Sequence, residues 1–88
     1  MSNTIDQATL EKEICGFIKN NLVAEEVVVN PDTKLNDMGL DSFSKIEIVL
    51  FLERKFGIEL PDEILTPENI ESSTSLSKCA IEYSSSQG

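Results

Sequence analysis

The sequence contains no histidine and no tryptophan, two cysteines, and seven basic residues against sixteen acidic ones. Each shortage removes a class of function. Without histidine there is no imidazole to activate a serine or cysteine nucleophile, and none to ligate zinc. Cys15 and Cys79 lie far apart, inside apolar patterns and outside any CxxC spacing, and read as reduced thiols of the core. A net charge of −9 disfavours nucleic-acid phosphates and anionic membranes, and makes a basic protein surface the natural complement. No run of about 18 apolar residues is present for a membrane span. The start MSNTIDQATLEKE lacks the basic head and apolar stretch of a secretion signal, so a cytoplasmic location is expected.

What the 88 residues do have is 40% apolar side chains, enough for one small core but not for a large internal active site. Leu10, Ile14, Phe17, Ile18 and Leu22 recur at helical period and predict a first helix from Thr4 to about Asn20. Asn3 or Thr4 is its expected cap, with Asp6 in the first turn. Val27-Val28-Val29 has strand propensity but no second run to pair with, so 23–41 reads as a long loop pinned by Leu22, Val27, Val29, Leu35 and Met38. A second helix is expected from Ser42 to Lys55, ended by Phe56-Gly57 with Gly57 left-handed. Pro61 starts a short helical turn at Asp62–Leu65, Thr66-Pro67 repeats the cap-then-proline signal, and a last helix runs from about Ser75 to Tyr83, capped by Ser73 or Thr74. The fold class is all-α, a small three- or four-helix bundle with a long first loop. Its single domain is 1–83, with a disordered tail at 84–88.

The second helix has apolar side chains on most of its circumference. Ile48, Val49, Leu52 and Phe56 supply the core stripe. Phe43, Glu47, Leu50 and Arg54 lie together on the opposite side, with Ile46 and Phe51 on the flanks. Either the long loop covers Phe43 and Leu50, or they form an exposed patch for transient partners. At the head of this helix stands Ser42, whose hydroxyl has two compatible uses. It can cap the helix, and it can carry a phosphate ester where free N–H groups and the positive end of the helix dipole converge. A nucleophilic role lacks a base, since Lys45 is an ordinary solvated cation. A calcium loop from Asp32, Asn36, Asp37 and Asp41 fails on spacing.

Asp37-Met38-Gly39-Leu40-Asp41-Ser42-Phe43, the apolar helix after it, and Phe56-Gly57-Ile58-Glu59-Leu60-Pro61-Asp62-Glu63 resemble the acyl carrier protein family, and Cys79-Ala80-Ile81-Glu82-Tyr83 resembles that family's last helix. The resemblance implies a discrete, monomeric carrier that is not an enzyme. It implies that Ser42 receives 4′-phosphopantetheine from coenzyme A through a magnesium-requiring phosphopantetheinyl transferase, and that the arm bears acyl groups as thioesters. Asp41 would present charge to a basic partner and help hold the start of the helix. Phe43, Glu47, Leu50 and Glu53 would meet the loading ligase, acyltransferases or condensing enzymes. Phe43 in place of the more usual leucine, the cations Lys45 and Arg54, and a long link from Leu65 to Thr74 depart from fatty-acid carriers. They point to a specialised pathway, with an aminoacyl or peptidyl carrier as the alternative. An acidic helical adaptor without a prosthetic group is the reading from a different class.

Overall fold

The computed structural model describes residues 6–87. Three helices of equal length carry the fold: α1 (Gln7–Asn21), α2 (Ser42–Phe56) and α3 (Ser73–Gln87). Two short 3-10 turns, Leu35–Met38 and Asp62–Ile64, lie in the connections. Among the described residues there is no strand, only one isolated antiparallel bridge between Lys34 and Ser72. The expected all-α bundle with a long first loop is the one observed.

The stripe read from the sequence is what α1 buries. Leu10, Ile14 and Ile18 are wholly buried and meet Ile48 and Leu52 of α2 and Leu76 and Ala80 of α3 in one cluster. Leu35, Leu40 and Ile58 add to it from the connections. Side chains of this size contribute roughly 1.5–3 kcal/mol each on full burial. The cluster therefore offsets much of the backbone entropy lost by so short a chain. Phe17 and Phe51 stack at 4.5 Å between ring centroids and close the seam between α1 and α2, while Phe56 meets Phe51 edge-on at 6.4 Å.

The first loop is laid down as a pinned segment. Leu22, Val29 and Met38 pack on the core, and the Lys19 ammonium donates to the carbonyls of Glu25 and Val27. Further along, Leu35 N–H donates to Glu71 O at 2.8 Å and Thr74 N–H to Pro31 O at 2.9 Å. These bonds fix the loop to the start of α3, and an exposed Lys34–Glu71 ion pair at 3.4 Å flanks them.

Three boundaries differ from expectation. Asp6 is the cap of α1, its carboxylate accepting from Thr9 N–H at 2.8 Å, so it stands before the first turn; Asn3 and Thr4 lie outside the described residues. α3 begins at Ser73. Ser72 Oγ accepts from Ser75 N–H at 3.2 Å and Ser75 Oγ accepts from Ser72 N–H at 2.9 Å, a reciprocal box. Four hydroxyl residues in a row, Ser72 to Ser75, offer several cap positions of similar strength, and the bridge to Lys34 selects this one. At its other end the α3 backbone is helical to Gln87, beyond the expected stop near Tyr83: no proline or glycine interrupts 84–87.

Cys79 is buried, but Cys15 is only half-buried, its Sγ 3.8 Å from Ser73 Oγ; both are free thiols. Burial pushes each thiol above its ordinary range, and Glu11 beside Cys15 and Glu82 beside Cys79 push the same way. Both stay protonated and weakly nucleophilic.

Candidate functional site

The segment into α2 is built by alternating freedom and anchorage. The first 3-10 turn stops at Gly39, whose φ of 79° is left-handed and whose N–H closes back on Asn36 and Leu35. Leu40 then plunges into the core, 4% exposed. Asp41 is extended, and its carboxylate accepts from Ser44 N–H at 2.9 Å. That bond, from the Ser44 backbone first and then its side chain, holds the Asp41 carboxyl below the ordinary carboxylate range.

The cap of α2 is therefore Asp41 and not Ser42. Ser42 is the first residue inside the helix, one position too late for its hydroxyl to reach the amides that Asp41 serves. It is exposed, and its hydroxyl takes no part in the hydrogen bonds of the described residues. An accessible, uncommitted primary hydroxyl at the positive end of a 15-residue helix fits a phosphodiester.

Below it, the outer face of α2 is open. Phe43 is 69% exposed, Ile46 46% and Leu50 40%, so the long loop does not cover them and the exposed-patch reading stands. Ile46, placed on a flank by its position on the helical wheel, joins the patch, whereas Phe51 turns inward onto Phe17. Glu47 is half-buried, and Glu53 and Arg54 are exposed. Beside Leu50 a shallow groove of about 410 Å³ runs between α1 and α2, lined by Phe17, Asn21, Glu47, Leu50, Phe51 and Arg54.

One contact had no signal in the sequence: Lys45 is not simply solvated, because its ammonium donates to Asn36 Oδ1 at 2.8 Å. Asn36 precedes it by nine residues across a turn, a separation no helical or strand period links. Among the described residues no three side chains of the His, Cys, Asp or Glu type converge, so Asp32, Asp37 and Asp41 form no cluster. No helix there is long and apolar enough to cross a membrane.

Ser42 thus stands exposed at a helix start with an apolar and acidic patch below it. Residues 12–77 match the family model described as "Phosphopantetheine attachment site", which makes the protein a phosphopantetheine-bearing carrier. The acyl carrier proteins of Syntrophobacter fumaroxidans and Prochlorococcus marinus are 33% and 35% identical to it over 60 residues, 67% of this chain and 74% and 75% of theirs. That of Helicobacter pylori is 38% identical over 55 residues, 61% of this chain and 70% of its own. The chain belongs to the acyl carrier protein family, whose members are carriers with covalent 4′-phosphopantetheine and not enzymes. This overturns the adaptor reading.

Two solved structures are also similar. One is the crystal structure of Bradyrhizobium japonicum glycine:[carrier protein] ligase complexed with glycylated carrier protein. It matches with a TM-score of 0.66 and 30% identity, over 83% of this chain and 96% of that one. A chain in the crystal structure of that ligase complexed with cognate carrier protein and an analogue of glycyl adenylate matches with a TM-score of 0.68 and 29% identity, over 86% of this chain and 96% of that one.

Proposed function

We propose that Ser42 is the attachment residue and that the protein delivers acyl intermediates, held as thioesters, to partner enzymes. The observation that carries this reading is the Ser42 hydroxyl itself, exposed and unbonded because Asp41 has taken over the cap. When bound, the arm supplies a terminal thiol that holds a carboxylic acid as a thioester. Loading forms a bond from Ser42 Oγ to phosphorus, with 3′,5′-ADP leaving and the hydroxyl proton passing to a base. The chain has no histidine, and the carboxylate next in sequence, Asp41, is engaged with Ser44 N–H, so we assign that base to the transferase. Phe43 and Leu50 give visiting enzymes an apolar grip, and Glu47 and Glu53 steer their basic surfaces. Such partners are the phosphopantetheinyl transferase, a loading ligase, and acyltransferases or condensing enzymes. The net charge of −9 opposes self-association and suits a cytoplasmic monomer. Incubation with coenzyme A and a broad-specificity transferase should add one phosphopantetheine to the intact mass, and Ser42→Ala should add none; modification of the variant sinks the assignment.

A second reading of the cargo has its own support. The likeness to a glycylated carrier protein at 30% identity, together with cations at Lys45 and Arg54, favours an aminoacyl group loaded by a ligase. The mass of the cargo on protein isolated from its native host separates the two: an amino-acid residue on the thiol selects the aminoacyl carrier, a fatty or ketide chain the acyl carrier.

A further inference from the structure

The first turn of α2 carries a cation at the end of the helix where cations are least welcome. A helix dipole favours anions near its N-terminus and cations near its C-terminus. α2 follows that rule at its far end, where Arg54 and Lys55 lie in the last turn. Lys45 does not, and it is the only basic residue between Leu35 and Glu53. No carboxylate explains it. Lys34 pairs with Glu71 and Lys55 with Glu13, while the Lys45 ammonium rests on a neutral carboxamide, Asn36 Oδ1, at 2.8 Å. Asp41, four residues earlier on the same side of the helix, is engaged with Ser44 N–H.

Position supplies the missing partner. Residues three apart on a helix are surface neighbours, and helical side chains lean toward the N-terminus. Lys45 and Ser42 are such a pair, and the bond to Asn36 restricts how far the ammonium can swing. A phosphodiester on Ser42 would place one more negative charge on a chain already at −9, next to the Asp41 carboxylate.

We propose that Lys45 is a positioning residue for the arm: its ammonium, held ready by Asn36, pairs with the anionic phosphodiester on Ser42 and aligns the arm along the start of α2. This rests on Ser42 being the attachment residue. Lys45 is partly exposed, so the pairing is modest and sensitive to salt.

A thermodynamic cycle on folding tests it. Unloaded protein, and protein loaded in vitro from coenzyme A and verified by intact mass, are unfolded in urea as wild type and as Lys45→Gln. The substitution should lower the folding constant of the loaded form about two- to fivefold more than that of the unloaded form. That excess should disappear at about 1 M salt. In nitrogen-15 NMR the Asn36 side-chain amide should move on loading of the wild type and stay in place on loading of Lys45→Gln. Equal losses in the two forms, with loading complete, overturn the role of Lys45 and leave the Ser42 assignment standing. No mass gain in the wild type, or a gain that survives Ser42→Ala, overturns the Ser42 assignment instead, and this proposal with it. If Lys45→Gln does not fold, the wild-type pair carries the test. Its Asn36 side-chain amide must move on loading, and an unmoved amide overturns the pairing.

Discussion

α1 and α2 are near twins up to the point where one carries the proposed attachment site. Both are 15 residues long, and both are capped by an aspartate whose carboxylate accepts from the amide three residues on, Thr9 at 2.8 Å in α1 and Ser44 at 2.9 Å in α2. They differ at the first helical residue. In α1 this is Gln7, whose amide is committed to Glu11 Oε2 at 2.8 Å; in α2 it is Ser42, committed to nothing among the described residues. They differ again on the outer face, where α2 exposes Phe43, Ile46 and Leu50 and α1 exposes no large apolar side chain. A capped amphipathic helix is thus scaffold by default. The proposed function rests on what α2 leaves unsatisfied.

The comparison breaks most completely at the two first-turn residues. Ser42→Ala should abolish loading, read by intact mass, whereas placing a serine in α1 by Gln7→Ser should not create a second loaded position, because no apolar patch lies below it. Loading at residue 7 would show that a hydroxyl at a helix start suffices. Next come the inner and outer faces of α2. Leu52 is wholly buried and Leu50 is 40% exposed, so Leu52→Ala should lose about 2–5 kcal/mol in urea unfolding and Leu50→Ala less than about 1 kcal/mol. Leu50→Ala should keep its helical circular dichroism yet receive cargo from partner enzymes more slowly. Unfolding by Leu50→Ala would make that side chain core and remove the patch.

Smaller effects sharpen the shared caps. Folding lowers the Asp6 carboxyl through hydrogen bonds from the Thr9 side chain and then its amide, and lowers Asp41 through the Ser44 amide and then its side chain. A carboxyl that is more acidic in the folded state stabilises it fully above the ordinary carboxylate range, near pH 4, and that stability is lost as the pH falls through the lowered native value. Asp6→Asn and Asp41→Asn, which cap without titrating, should therefore show a shallower loss of stability below about pH 4 than the wild type. The smallest change concerns Gly16, midway along α1, where an added Cβ meets nothing within 4 Å. Gly16→Ala should raise stability by about 0.5–1 kcal/mol, seen as a higher urea midpoint.

Much of the fold was legible because it depends on near neighbours in sequence. The stripe Leu10, Ile14, Ile18, the left-handed stop at Gly57 with φ 69°, and the turn after Pro61 all appear where the residues place them. The start of α3 was legible only approximately, since Ser72 to Ser75 are interchangeable caps until the bridge to Lys34 chooses among them. At the site, Ser42 and Asp41 stood out as a pair, and Asp41 was expected to help hold the start of the helix, but which of the two caps it was not legible. A serine and an aspartate compete for the same amide, and the extended backbone of Asp41 decides which of them reaches it.

The amino-acid order alone determined which side chains share a face of each helix, because that depends only on the 3.6-residue period. It also set the strongly negative charge and the absence of any histidine. Whether Phe43, Ile46 and Leu50 would face solvent, and whether Lys45 would find Asn36, was decided by the course of residues 23–41 across the bundle. That loop is held down by bonds to the start of α3, more than thirty residues away in sequence. Periodicity carries no information about contacts at that distance, and only the packed chain supplies it.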